Sequence, residues 1–364
     1  MRVYLFLYLS LNMLFAFSLN GASVDILKYT PDPVSASAGF ISTANFNNNV
    51  WAVYNNASLL SGLDYPVVAA GYKRIFNMLN SFNFVYGLPA RKGYGAIAGN
   101  FIDYGENDFI TGIDLASGLP VASKTFHSYD LFVAAGYGNQ GSIFNYGVTL
   151  KFLQSSIADE KMTYVSADIN FMKVLDNSVV IGLNFRNLGF SVNDIDGEIP
   201  SYIALGATVP FFFINEKNGK FFFISELRYY PFKFLEQIWD SSIGLQYKYG
   251  DYSFRMGAFL DKDNPYFFNI GTVGVSYFMK QQNIRFDYAL NSESFFVGMN
   301  HTLSITYYIN MRIKGVRRTY KFESLATKGI EESVIKKREE KLFKEFEKEE
   351  SEQETLETEE WSDD

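Results

Sequence analysis

From Pro66 to Met311 the chain repeats one theme: a run of alternating apolar and polar residues, then a turn. Phe144, Tyr146, Val148, Leu150 and Phe152 share one face, and Asn145, Gly147, Thr149 and Lys151 the other. Tyr129, Leu131, Val133, Ala135 and Tyr137 oppose Ser128, Asp130, Ala134 and Gly136 in the same way. The last run is the cleanest, with Leu303, Ile305, Tyr307, Ile309 and Met311 interleaved with Thr302, Ser304, Thr306, Tyr308 and Asn310. A period of two sends successive side chains to opposite faces of a sheet.

Such runs predict strands over 66–76, 80–88, 93–104, 126–138, 143–153, 162–173 and 178–188. The second half adds 200–213, 219–231, 238–249, 252–261, 267–279, 283–291 and 300–311, fourteen in all. Asp176-Asn177, Asn218-Gly219, Gly250-Asp251 and Gln281-Gln282-Asn283 supply turn chemistry between them.

The run length matches the ~9–11 residues that a tilted strand needs to cross a bilayer. Aromatic residues gather toward run ends, at Phe211-Phe212-Phe213, Phe221-Phe222-Phe223, Tyr229-Tyr230 and Tyr307-Tyr308, as in the interfacial girdles of outer-membrane barrels. Only helices or closed barrels satisfy every backbone group inside lipid. The expectation is therefore an all-β fold, a closed transmembrane antiparallel β-barrel of about fourteen strands over 66–311. A soluble β-sandwich also alternates, but this body is so rich in Phe and Tyr that it would need a very large core.

The less apolar face carries Asp130, Lys151, Asp168, Arg186, Glu226, Arg228, Lys248, Arg255, Arg285 and Asp287 among Gly, Ser, Thr and Asn. Six bases and four acids of mixed order read as a lumen laced with ion pairs. Bracing of the barrel wall is the first reading of these charges, and contact with a substrate the second.

Both ends differ from this body. Met1–Ala22 has Arg2, an apolar stretch from Val3 to Phe17 and then small residues, the order of a secretory signal. Residues 23–65 do not alternate; they run through small residues at 35–44 and Asn-rich 45–49 to Trp51, Tyr54, Leu59 and Leu60. A compact polar segment of this kind before a barrel is expected to be a plug. Residues 312–364 open with Arg312, Lys314, Arg317 and Arg318 and continue into a Glu- and Lys-rich helix candidate at 330–350 with an acidic end. An even strand number puts both ends of the chain on the periplasmic side of a diderm cell.

The formal charge of −8 sits in the tail, because Lys321–Asp364 holds 16 acidic and 8 basic residues and the rest balances. No basic patch offers itself to nucleic acid. The chain has no cysteine and two histidines, His127 and His301, so thiolate chemistry is excluded and no metal site is expected. No phosphate-binding loop, HExxH or GxSxG motif occurs. Neither an enzyme nor a cofactor is expected.

Tyr54-Asn55-Asn56-Ala57-Ser58-Leu59 resembles the Tyr-Asn-Pro-Ala-Gly-Leu motif of PorV/PorQ-like outer-membrane proteins, distant relatives of the FadL fatty-acid transporters with a spirochaetal branch. Asn56 stands where the family has proline, and Ser58 where it has glycine. Gly147-Val148-Thr149-Leu150-Lys151, Asn187-Leu188-Gly189, Phe254-Arg255-Met256-Gly257 and Phe286-Asp287-Tyr288-Ala289 resemble further family stretches, in family order. The resemblance implies a fourteen-stranded barrel whose 23–65 segment folds inside as a hatch, with Trp51, Tyr54, Asn55, Asn56, Ala57 and Leu59 in its motif.

On that resemblance the expected function is passive uptake of small hydrophobic molecules, such as long-chain fatty acids, through a hatch-gated lumen. The alternative is a PorV-like structural or protein-secretion platform. Expected partners are outer-membrane lipid, apolar small molecules and a periplasmic protein docking on the 321–364 tail.

Overall fold

The computed structural model describes residues 27, 30–45, 49–113, 120–157, 160–175, 179–193, 199–210, 219–231, 239–261, 270–294 and 298–309. The expected signal at 1–22 and the tail at 312–364 lie outside these, as does the Phe211-Phe212-Phe213 run.

Fourteen antiparallel strands close into a barrel in sequence order. They are β1 (Val67–Ile75), β2 (Leu79–Ala90), β3 (Gly93–Ile113), β4 (Pro120–Gln140), β5 (Asn145–Ile157), β6 (Glu160–Val174) and β7 (Val180–Ser191). The circuit continues with β8 (Tyr202–Pro210), β9 (Lys220–Tyr229), β10 (Trp239–Tyr249), β11 (Tyr252–Asp261), β12 (Ile270–Met279), β13 (Ile284–Ser294) and β14 (Gly298–Tyr308). Closure comes from β1 against β14, with Val67 opposite Tyr308 and Arg74 opposite His301. The strand series thus begins and ends at one rim, and no edge is left there.

Alternation decides which side of the wall each residue takes. Burial along β5 reads buried and exposed in strict turn from Asn145 to Leu153. Phe84, Ile97, Leu150, Leu205, Met256 and Ile305 stand exposed on the outside at 48% to 60%. A single folded chain in water does not expose a continuous apolar belt of this size. Aromatic pairs flank the belt at both rims: Tyr252 stacks on Tyr277 at 4.7 Å and Phe221 on Tyr247 at 4.3 Å at one end, and Tyr229 meets Trp239 at a tilt, 4.5 Å apart, at the other.

Two expectations need correction. Phe222 and Tyr230 do not join an outer girdle; both are buried inside, Phe222 with Ile41 and Ile224, Tyr230 against Tyr202 at 5.2 Å. In a run of adjacent aromatics every second ring must point inward. The second concerns β3 and β4, which run to 21 residues each where the alternation predicts 12 and 13. Past Asp103 the ladder shifts register and Gly105 takes a φ of +78°. Glu106 and Asp108 follow, both exposed, so the apolar/polar alternation breaks here in the sequence while backbone pairing to β4 continues. Pairing of β2 to β3 stops at Asn80–Asp103, and that of β4 to β5 at Tyr129–Ser156. The β3–β4 hairpin therefore stands beyond the rim as a two-stranded ribbon.

Candidate functional site

The bore is filled by the segment that precedes β1, in which the described residues from Thr30 to Leu63 are buried throughout. Its backbone is irregular, so side chains must satisfy what strands would otherwise pair. Three Asx residues do this. Asp32 caps a one-turn helix, α1 (Pro33–Ala36), accepting from Val34 N at 3.0 Å and Ser35 N at 3.3 Å. Asn49 caps a 3₁₀ turn at Val50–Tyr54, and Asn56 a second at Ala57–Gly62. Asn49 also donates to Asp32 Oδ1 at 2.8 Å, tying the first turn to the second. Burial pushes the Asp32 carboxyl above its ordinary range, against the pull of its bonds from Ser35 and Val34.

Trp51 and Tyr54 anchor the segment to the β1–β4 side of the wall. Trp51 stacks on Tyr54 at 6.2 Å, and Tyr54 on the inward Phe132 at 5.6 Å. The Tyr54 hydroxyl donates to Gly99 O at 2.6 Å, and burial pushes its pKa up, so it stays a donor. Leu59 and Leu60 extend the same cluster with Val67, Val85 and Tyr94. Inward glycines open the room. A Cβ at Gly138 would strike Ala57 O, one at Gly147 Ser58 N, one at Gly182 Thr43 O and one at Gly257 Gly39 N. Here the backbone of the segment lies directly on the wall.

The inward charges meet the segment at three stations. On β11 to β13, Arg255 donates to Ser276 Oγ at 2.7 Å and Arg285 Nε to Asp287 Oδ1 at 2.8 Å, while Ser276 also bonds Asp287. Arg255 reaches Ser37 Oγ at 3.5 Å, and Thr272 accepts from Gly39 N at 2.8 Å. On β9, one oxygen of Glu226 accepts from both Ser42 N and Thr43 N at 2.8 Å. Its other oxygen pairs with Arg228 Nε at 2.7 Å, and Arg228 Nη2 donates to Phe40 O at 2.6 Å.

The third station is buried on β5 to β7. Asp168 meets Lys151 Nζ at 2.6 Å and Arg186 Nε at 3.5 Å. Arg186 Nη2 donates to Tyr54 O at 3.1 Å and Asn55 Oδ1 at 3.2 Å, and Nη1 to Tyr202 Oη at 2.6 Å. A bulge in β7 creates this geometry. The β6–β7 register shifts between Ala167 and Ile169, Asn187 takes a φ of +55°, and its N–H turns to Asp168 Oδ1 at 2.8 Å.

Of the ten inward charges, Asp130 and Lys248 stand elsewhere. Asp130 accepts from Tyr104 Oη at 2.7 Å, wall to wall, and half-buried Lys248 lies 5.7 Å over the Phe222 ring. Neutral wall residues that the sequence did not single out do as much as the charges. Asn170 accepts from Ala57 N at 2.9 Å, Thr208 donates to Ala44 O at 2.6 Å and Thr149 to Val53 O at 3.2 Å. Their signal was present: each is the polar partner in an alternating run.

A cavity of about 20 Å³ remains between Leu27, Tyr54, Asn55, Phe132, Lys151 and Arg186. That is room for one water molecule. The histidines are apart from all this and from each other, His127 Nε2 at 3.0 Å from Asp103 and His301 Nδ1 at 2.9 Å from the Tyr288 hydroxyl.

A closed antiparallel barrel with an apolar outside, aromatic rims and a polar bore is an outer-membrane β-barrel fold. Solved structures with this fold include the toluene transporter TodX of Pseudomonas putida, at a TM-score of 0.50 and 14% identity, covering 80% of this chain and 98% of that one. The CymD monoaromatic hydrocarbon channel aligns at 0.47 and 12%, covering 82% and 100%. The outer membrane protein Omp33 of Acinetobacter baumannii aligns at 0.41 and 8%, covering 68% and 100%. No family model and no curated protein matches the sequence.

Proposed function

We propose that this chain is an outer-membrane, FadL-like transporter that lets small hydrophobic molecules diffuse into a diderm cell, with residues 23–65 as its hatch. One observation carries the reading. The bore is blocked by a segment that joins the wall through side-chain bonds and contacts rather than as a strand of the sheet, and such a plug can leave while the barrel stays closed. An apolar solute then needs no energy input: it partitions from water into the space the hatch vacates and moves down its gradient. The toluene transporter whose barrel resembles this one supports apolar cargo. Aromatic hydrocarbons and long-chain fatty acids are the two cargo classes to test, and lipid is the protein's permanent partner.

The test is uptake of radiolabelled oleate and toluene by liposomes holding the purified chain. Uptake faster than with an unrelated barrel of similar size is expected for at least one cargo. Equal rates for both would overturn the proposal.

A second reading, a platform for partner proteins at the outer membrane, has its own observation. The ribbon formed by β3 and β4 beyond the rim has neither β2 nor β5 beside it, and open strand edges invite pairing with another chain. Crosslinked pull-down with and without residues 321–364 and with the ribbon shortened distinguishes it. Partners without uptake favour the platform.

A further inference from the structure

The stretch from Gly39 to Thr43 is built unlike the rest of the plug. Gly39 and Phe40 are both left-handed, at φ +74° and +61°. For glycine this costs nothing, but a ring-bearing residue is strained there and stays only where its surroundings impose it. Thr272 accepts from Gly39 N, and Asn184 and Asn56 donate to Thr43 Oγ1 and O, but the charged hold on the turn is a clamp on β9. Arg228 holds Phe40 O, Glu226 holds the successive N–H groups of Ser42 and Thr43, and the two side chains are paired with each other. The Phe40 ring is fixed edge-on to Phe259 at 6.3 Å, and the Arg228 guanidinium lies 5.2 Å over that same ring. Two side chains on one strand thus close a hydrogen-bonded circuit around a strained turn. Trp51 to Leu63 is held by Arg186 and Asn170 as well, but there capped turns and a large apolar cluster share the hold.

We infer that the Glu226–Arg228 pair is the latch of the plug, and that residues 39–43 release from the wall before residues 50–63 do. Two consecutive N–H groups make an anion-binding nest, and the Glu226 carboxylate is its resident anion. Loss of that carboxylate leaves two buried donors without their acceptor, frees Arg228 from its partner and lets Phe40 relax toward an extended conformation. Release here uncovers the bore along β9 to β11 while the Trp51–Tyr54–Phe132 stack stays in place. The inference rests on the reading of 23–65 as a movable hatch.

The absence of cysteine allows a direct test. Ser42→Cys and Ser61→Cys are introduced singly in the full chain, reconstituted in liposomes and reacted with a membrane-impermeant maleimide. Among the described residues Ser42 Oγ is buried without a hydrogen-bond partner, so the thiol replaces it at little cost. Glu226→Gln keeps a carbonyl oxygen for the two N–H groups but removes the charge that binds them and pairs with Arg228, and is expected to speed labelling at position 42 about tenfold and to leave position 61 unchanged. Arg228→Lys, which cannot serve Phe40 O and Glu226 together, is expected to act in the same direction. Heat-dependent gel mobility confirms that each variant keeps its barrel. Equal acceleration at 42 and 61, or none at 42 in both variants, overturns the latch. Labelling reports motion and not uptake, so this result and the transport assay can fail separately.

Discussion

Arg186 on β7 donates to the backbone carbonyl of Tyr54 at 3.1 Å while its Nε faces Asp168 at 3.5 Å. A wall charge and the aromatic anchor of the plug are thereby one unit, and the buried ion cluster belongs to docking as much as to the wall.

Arg186→Ala breaks that unit. Asp168 keeps only Lys151 as a cationic partner, and Tyr54 O and Asn55 Oδ1 lose a donor. A loss on the order of 3 kcal/mol is expected, with Arg186→Lys recovering only part because an ammonium cannot serve these acceptors together. Thermal unfolding in detergent, with limited proteolysis at the plug, measures it.

The glycine contacts predict a permeability change. Gly257→Ala places a methyl on Gly39 N, whereas a Cβ at Gly271 meets nothing within 4 Å among the described residues. The first variant is expected to dislodge the 37–40 stretch and raise single-channel conductance in planar bilayers, and Gly271→Ala to behave as the parent. Equal traces from all three would show that this approach does not seal the bore.

A crosslink gives the reverse experiment. A Cβ at Gly136 would lie 3.5 Å from Ala57 Cβ, within the spacing a disulfide accepts. Gly136→Cys with Ala57→Cys is expected to form that bond, to abolish cargo uptake and to regain it on reduction. Uptake that ignores the crosslink would place the route somewhere other than the plug.

The outer belt predicts a membrane effect. Leu150 is 60% exposed on the face opposite Lys151. Leu150→Arg is expected to cost ~2–4 kcal/mol of folding into lipid vesicles, the penalty of a base near the bilayer midplane. Urea titration in vesicles reads the difference. No loss would place Leu150 outside the hydrocarbon.

Tyr54→Phe removes one hydroxyl, shared between Gly99 O and, more weakly at 3.4 Å, Phe84 O. The hydroxyl donates to Gly99 O at 2.6 Å, and its removal is expected to cost about 1 kcal/mol while the stack on Phe132 persists. Thermal shift against the parent checks the size.

The sequence alone determined the strand count and the antiparallel barrel, because a two-residue period is a local property that lipid outside and polar groups inside write at every strand. Trp51 and Tyr54 were legible as packing residues by their bulk amid small neighbours. Tertiary structure decided what the charges do. Glu226 and Ser42 are 184 residues apart, and no local pattern says that a carboxylate on one strand will meet a particular pair of amides. It also decided the length of β3 and β4, where backbone pairing continues after the apolar face has ended, and the bulge at Asn187. Register and docking come from shape and hydrogen-bond satisfaction across the bore, and these exist only once the barrel has closed.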